Sequence, residues 1–181
     1  MSIQPLVTLP DPILREISKP IEDVNTSIQK LADDMIETMR SSFGVGLAAI
    51  QIGVPLRMLV IDIRMLVADL SDKETLQDSL VVINPEVLWI SDERSVCQEG
   101  CLSIPGYFAE VERPKSLRIR YRDICGQQVE IDADQFFATC LQHEIDHLDG
   151  RLFIDHISKT KRDMVIRKFK KRNKISKDAT L

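Results

Sequence analysis

The sequence predicts an α+β fold: antiparallel sheets of short strands packed around a central helix, with an additional N-terminal helix and a C-terminal helix. Three observations carry this expectation. Ile28, Leu31, Met35, Ile36 and Met39 recur at helical spacing behind the capping pair Asn25-Thr26. Several short runs have the period of half-buried strands, most clearly Leu117, Ile119 and Tyr121 alternating with Arg118, Arg120 and Arg122. A second helical pattern runs from near Asp132 through Phe136, Phe137, Cys140, Leu141 and His147 to a stop at Gly150.

Taken in order, prolines at 5, 10, 12 and 20 make the first segment an extended, turning arm with at most a short helix over Ile13 to Ser18. The first helix follows and ends before Gly44. Gly44, Gly46 and Gly53 then fall within ten residues around small apolar side chains, which is either a tight turn feeding a strand or a backbone that must approach something closely. Strands are expected at Met58 to Ile63, at Leu80 to Ile83 and at Val87 to Ile90, with Asn84-Pro85 separating the last two and an exposed loop over Asp72 to Ser79. Cys97 to Gly106 reads as a loop of fixed conformation. Tyr107 to Val111, Ser116 to Tyr121 and Gln128 to Ile131 read as strands, with Cys125-Gly126 in a turn. The second helix is expected to open near Asp132, with Gln135 as its capping-box partner.

The chain has 181 residues, 44% hydrophobic and 29% charged, which is enough for one domain with its own core. No apolar run approaches the roughly 20 residues that a membrane span requires. Met1 to Pro12 lacks the layout of a signal peptide, so a cytoplasmic protein is expected. In that compartment Cys97, Cys101, Cys125 and Cys140 are thiols rather than disulfides.

Chemistry concentrates in Gln142-His143-Glu144-Ile145-Asp146-His147. Histidines four apart share one helix face and can hold one divalent cation, while the intervening glutamate can take a proton from an attacking water. The third ligand is not supplied downstream. Glu144 is the last glutamate of the chain, and Phe153 stands where a third histidine is needed after Gly150. His156 lies beyond the helix stop; upstream, Cys101 in its glycine-flanked loop is the better third ligand, with Cys97 competing for the place.

Gly44-Val45-Gly46-Leu47-Ala48-Ala49-Ile50-Gln51, Glu99-Gly100-Cys101-Leu102-Ser103 and Gln142-His143-Glu144-Ile145-Asp146-His147-Leu148 resemble the three signature motifs of the bacterial peptide deformylases, in order and at similar separations. Leu9 to Arg15 resembles that family's N terminus. The resemblance implies hydrolysis of the N-formyl group from formylmethionine at the start of new polypeptides, with release of formate. It assigns Cys101, His143 and His147 to the metal, Glu144 to proton transfer, and the Gln51 amide and Leu102 backbone N–H to the oxyanion. Glu99 and Gly46 are assigned to the loop and substrate backbone, and Val45 and Cys140 to the methionine pocket. Iron(II) is the implied metal in the cell, although zinc, nickel or cobalt also suits two imidazoles and a thiolate.

Residues 1–157 are expected to form the catalytic domain and 158–181 a basic C-terminal helix or tail. Residues 157–181 carry ten Lys or Arg against Asp163 and Asp178, a net of plus eight in a chain of minus four, leaving minus twelve for the rest. Such asymmetry points to a polyanion partner, and the resemblance implies docking on the ribosome. Met164, Val165 and Phe169 are expected to seat that helix on the body. Two other classes fit the motifs less fully: a ribosome- or RNA-associated module with a structural zinc completed by Cys97, and a different metal-dependent amidase.

Overall fold

Met58–Asp62 is an unbroken apolar run closed by an aspartate, and it forms a strand buried along its whole length. Its alternate residues serve two cores: Leu59 and Ile61 pack with one cluster, Met58 and Val60 with another. A strand covered on both faces cannot show polar alternation, which explains the continuous pattern.

The computed structural model describes residues 2–65 and 78–178. Its helices are α1 (Thr26–Ser41), α2 (Gln135–Leu148) and α3 (Lys159–Asp178). The strands are β1 (Gly46–Ala48), β2 (Met58–Asp62), β3 (Ser79–Ile90), β4 (Arg94–Gly100), β5 (Phe108–Pro114), β6 (Ser116–Arg122) and β7 (Gln128–Asp134). All named strand pairs are antiparallel, in a five-stranded sheet of order β1-β2-β3-β6-β7 and a two-stranded sheet β4-β5. The α+β class is borne out.

Helix α2 covers one face of the large sheet, burying Ala138, Leu141, Ile145 and Leu148 against Leu117, Ile119 and Tyr121. Helix α1 covers the other through Ala32, Met35 and Met39. Asn25 caps α1 as its sequence predicts, its Oδ1 accepting from the N–H groups of Ser27 and Ile28, an arrangement worth about 1 kcal/mol. A third core joins the N-terminal arm to α3: Leu9 and Leu14 pack with Ile104, Phe153, Val165 and Phe169. Val165 and Phe169 seat α3 as expected, whereas Met164 faces outward, 59% exposed.

Four expectations about elements need correction. Leu80–Ile83 and Val87–Ile90 are one strand, because the register shift between Ile83 and Glu86 absorbs Asn84-Pro85 as a kink and Asn84 takes φ +51°. Such a bulge keeps the ladder on both sides of the proline. Cys97–Gly100 is the end of β4 rather than loop, with only the residues after it irregular. The second helix starts at Gln135, not near Asp132: β7 runs through Asp134, whose side chain makes no cap bond, and Gln135 turns sharply at φ +49°. The short helix of the arm is a 3-10 turn at Pro12–Arg15, capped by Asp11, earlier than Ile13 to Ser18. Of the expected loop at Asp72 to Ser79, residues 72–77 lie outside the described residues and Ser79 opens β3.

Candidate metal centre

Strand β1 is an edge strand of the large sheet, and the end of β4 and the loop after it carry Glu99, Gly100 and Cys101. Helix α2 supplies His143, Glu144 and His147 from its buried side. The N-terminal arm ties these pieces together: the Val7 N–H donates to the Gln51 carbonyl at 2.7 Å and the Leu9 N–H to the Ser103 carbonyl at 2.9 Å.

Cys101 Sγ and one ring nitrogen each of His143 and His147 lie within 4.8 Å of one another. His147 Nε2 is 3.2 Å from Cys101 Sγ. Among the described residues this is the group of His, Cys, Asp and Glu side chains fit to hold a metal ion. His156 is not in it, nor is Cys97, whose Sγ takes a long contact of 3.6 Å from the Thr139 hydroxyl.

The surroundings fit a cation. Burial holds His147 well below its ordinary pKa, leaving a neutral imidazole with a lone pair to donate. Burial also opposes a charge on His143, yet Cys101 and Glu99 pull its pKa well above the usual value. A buried pocket that draws positive charge so strongly suits a divalent ion. Glu99 Oε2 accepts from His143 Nδ1 at 2.7 Å, which fixes the tautomer and leaves Nε2 as the ring nitrogen able to coordinate a cation. Phe153, at the position where a third histidine is missing, stacks on the His143 ring with centroids 5.9 Å apart and planes inclined by 24°.

Glu99 is itself held. Arg113 donates from Nε to Oε1 at 2.6 Å and from Nη2 to Oε2 at 3.1 Å, and from Nη1 to Asp146 Oδ2 at 2.8 Å. Arg113 and Glu99 are each 4% exposed. Burial works against both charges, but His143 and Arg113 hold Glu99 below the ordinary carboxylate range, and Glu99 with Asp146 holds Arg113 above its usual value. Both oxygens of Glu99 are thus committed behind His143. Sequence reading missed Arg113, Asp146 and Phe153. The period-two pattern gave a partial signal for Arg113, which shares a strand face with Ala109 and Val111 while Phe108, Glu110 and Glu112 on the other face are exposed.

Gln51 is buried, and its orientation follows from its partners. Its Oε1 accepts the Ala48 N–H at 2.8 Å, so Nε2 turns toward Ser103 Oγ at 3.1 Å and Cys101 Sγ at 3.4 Å. Glu144 is buried too, its Oε2 has no hydrogen-bond partner, and burial pushes its pKa up to about 7. Gly46 settles its two sequence readings in favour of close approach: a Cβ there would lie 2.5 Å from Glu144 Oε1. Cys140 packs in the core beside Ala138 and Leu141, and burial pushes its thiol up to about 12, so it remains protonated. Val45 is partly buried against the same core, and Leu102 lies close over Gly44.

Cys101 converging with two buried histidines, a buried glutamate with one free carboxylate oxygen and an oriented amide define a metal-dependent hydrolase. The polypeptide deformylase family model matches residues 3–163. The chain is 68% identical over 174 residues to the peptide deformylase of Bartonella quintana, covering 96% of this chain and 95% of that protein. It is 59% identical over 171 residues to that of Mesorhizobium japonicum, covering 94% and 93%. A crystal structure of peptide deformylase from Ehrlichia chaffeensis in complex with actinonin superposes with a TM-score of 0.84 at 43% identity, covering 95% of this chain and 98% of that one. The chain belongs to the polypeptide deformylase family, whose reaction is metal-dependent hydrolysis of the N-formyl group from formylmethionine of nascent polypeptides.

Proposed function

We propose that Cys101, His143 and His147 hold the metal ion of this deformylase, that Glu144 moves the proton, and that Gln51 and the Leu102 N–H stabilise the oxyanion. The observation that carries this reading is the convergence of all three ligand atoms within 4.8 Å beside a buried glutamate with a free carboxylate oxygen. A divalent ion there supplies Lewis acidity, polarising the formyl carbonyl and acidifying water.

The rest falls to the chain. Glu144, with a pKa near neutral, takes a proton from the attacking water and returns it to the departing amine. Gln51 Nε2 points toward Cys101 and, with the Leu102 N–H, donates to the oxygen as charge develops on it. Glu99 sets the His143 ring rather than touching substrate. Gly46 on edge strand β1 and Val45 just before it border the place where an extended peptide adds as a further strand, and Cys140 contributes an apolar, protonated thiol near the methionine side chain. Replacing Gly46 with Ala displaces Glu144, and kcat/KM is expected to fall by about 10²-fold with metal content unchanged.

Iron(II) is the proposed metal in a cytoplasmic enzyme. A thiolate beside an open iron site makes both oxidisable. Freshly isolated iron enzyme is expected to lose activity in air while the nickel or cobalt form retains it; equal air stability contradicts the assignment of iron.

Residues 1–157 are proposed to carry catalysis and 158–181 to dock on the ribosome. The net charge of plus eight on residues 157–181, and the seating of α3 by Val165 and Phe169 with Lys161, Arg167, Lys168, Lys170, Lys171 and Arg172 exposed, support this division. No helix among the described residues is long and apolar enough to cross a membrane. Truncation after Ile157 is expected to abolish salt-dependent ribosome binding; unchanged binding contradicts docking by α3.

A further inference from the structure

His156, the one histidine outside the proposed ligand set, is linked to it by an unbroken line of hydrogen bonds. We propose that His156 is a positioning residue for the metal centre: through Asp146 it holds Arg113 and Glu99, and thereby the ring of His143, in place. The inference rests on His143 being a ligand. Asp146 Oδ2 accepts from His156 Nε2 at 2.8 Å and from Arg113 Nη1 at 2.8 Å. A carboxylate only accepts, so His156 must present an N–H there. Burial opposes the charge on Asp146, but His156 and Arg113 hold its carboxyl below the usual range. The remaining donors of the arginine fork used here go to Glu99, whose Oε2 takes His143 Nδ1. One oxygen of Asp146 bracketed by two donors thus sets the angle of the Arg113 plane, and that plane sets Glu99.

A second contact runs through the same turn. His156 follows Phe153–Asp155, and Phe153 stacks on His143. This turn therefore reaches the ligand ring from its face and, through three side chains, from its Nδ1 edge. Arg113, Glu99 and His143 are buried and Asp146 is part-buried, whereas the His156 side chain is 30% exposed. It borders a recess of about 250 Å³ that Arg113, Gln142, Asp146 and Arg151 also line. Its replacement therefore leaves no sealed void and the fold is kept.

The test compares wild type, His156→Ala, His156→Gln and His143→Ala as cobalt-loaded full chains. It measures cobalt release to a chelator, the visible absorption of the cobalt, and kcat and KM. His156→Ala is expected to release cobalt about five-fold faster, below the range for groups that touch a ligand directly, with a shifted spectrum and a lower kcat at unchanged KM. His156→Gln, whose amide N–H can still donate to Asp146, restores all three. In a Glu99→Gln background, His156→Ala adds no further increase. Wild-type release and spectrum in His156→Ala, with His143→Ala unable to hold cobalt, overturn the inference while leaving the ligand assignment intact. Equal defects in the Ala and Gln variants also overturn it. Cobalt held by His143→Ala as tightly as by wild type removes the ligand assignment and the inference with it.

Discussion

Glu144→Gln leaves a folded, fully metallated protein whose kcat for deformylation falls by about 10⁴-fold, the upper end of what a positioned general base supplies. The amide nearly matches the carboxylate in shape, so the close approach at Gly46 is preserved. It cannot accept the proton, and no other carboxylate is placed to do so: Glu99 spends both oxygens on Arg113 and His143. Because burial makes the charged form of Glu144 costly, the neutral amide does not weaken the fold. Metal analysis alongside steady-state kinetics checks the prediction. Residual activity within tenfold of wild type contradicts the role of Glu144, and loss of metal points to a structural part instead.

The second large effect is expected from Arg113→Ala. Removing the guanidinium leaves Glu99 and Asp146 buried without their shared counter-charge, which costs about 3 to 5 kcal/mol. For a chain of this size that lowers Tm by roughly 6 to 20 °C. Glu99 then gains a proton or turns away, so His143 loses its orienting acceptor and metal affinity drops by about 10- to 100-fold. Thermal unfolding of the metal-free chain and chelator competition measure the two effects separately. An Arg113→Ala protein with wild-type Tm and wild-type metal affinity contradicts the network described for His143.

The Cys101, His143 and His147 cluster was legible in part because two of its members obey a local rule. His143 and His147 sit four apart on a helix whose apolar positions announce it, and the geometry of one turn does the rest. Cys101 comes from a different part of the chain; its glycine-flanked loop favoured it over Cys97 and the resemblance assigned it, because a loop position is set by distant contacts such as Leu9 N–H on Ser103. The Arg113 network was not read from sequence because a buried ion pair depends on partners 14 and 33 residues away, and a strand position does not announce them. Asn84-Pro85 misled for a related reason: neighbours β2 and β6 hold β3 together across a local breaker. At Asp132 to Gln135 a capping signal competed with ladder bonds to β6, and pairing of Asp132 and Asp134 won.

Metal titration into the metal-free chain, followed by formate release from formyl-Met-Ala-Ser, tests the central claim most directly. Activity should rise linearly with added ion and level off at about one ion per chain, the stoichiometry of a Cys/His/His site. The acetylated and unblocked peptides should yield no comparable turnover. Formate release without metal, or none from the fully loaded protein, contradicts the claim that Cys101, His143 and His147 build the catalytic centre.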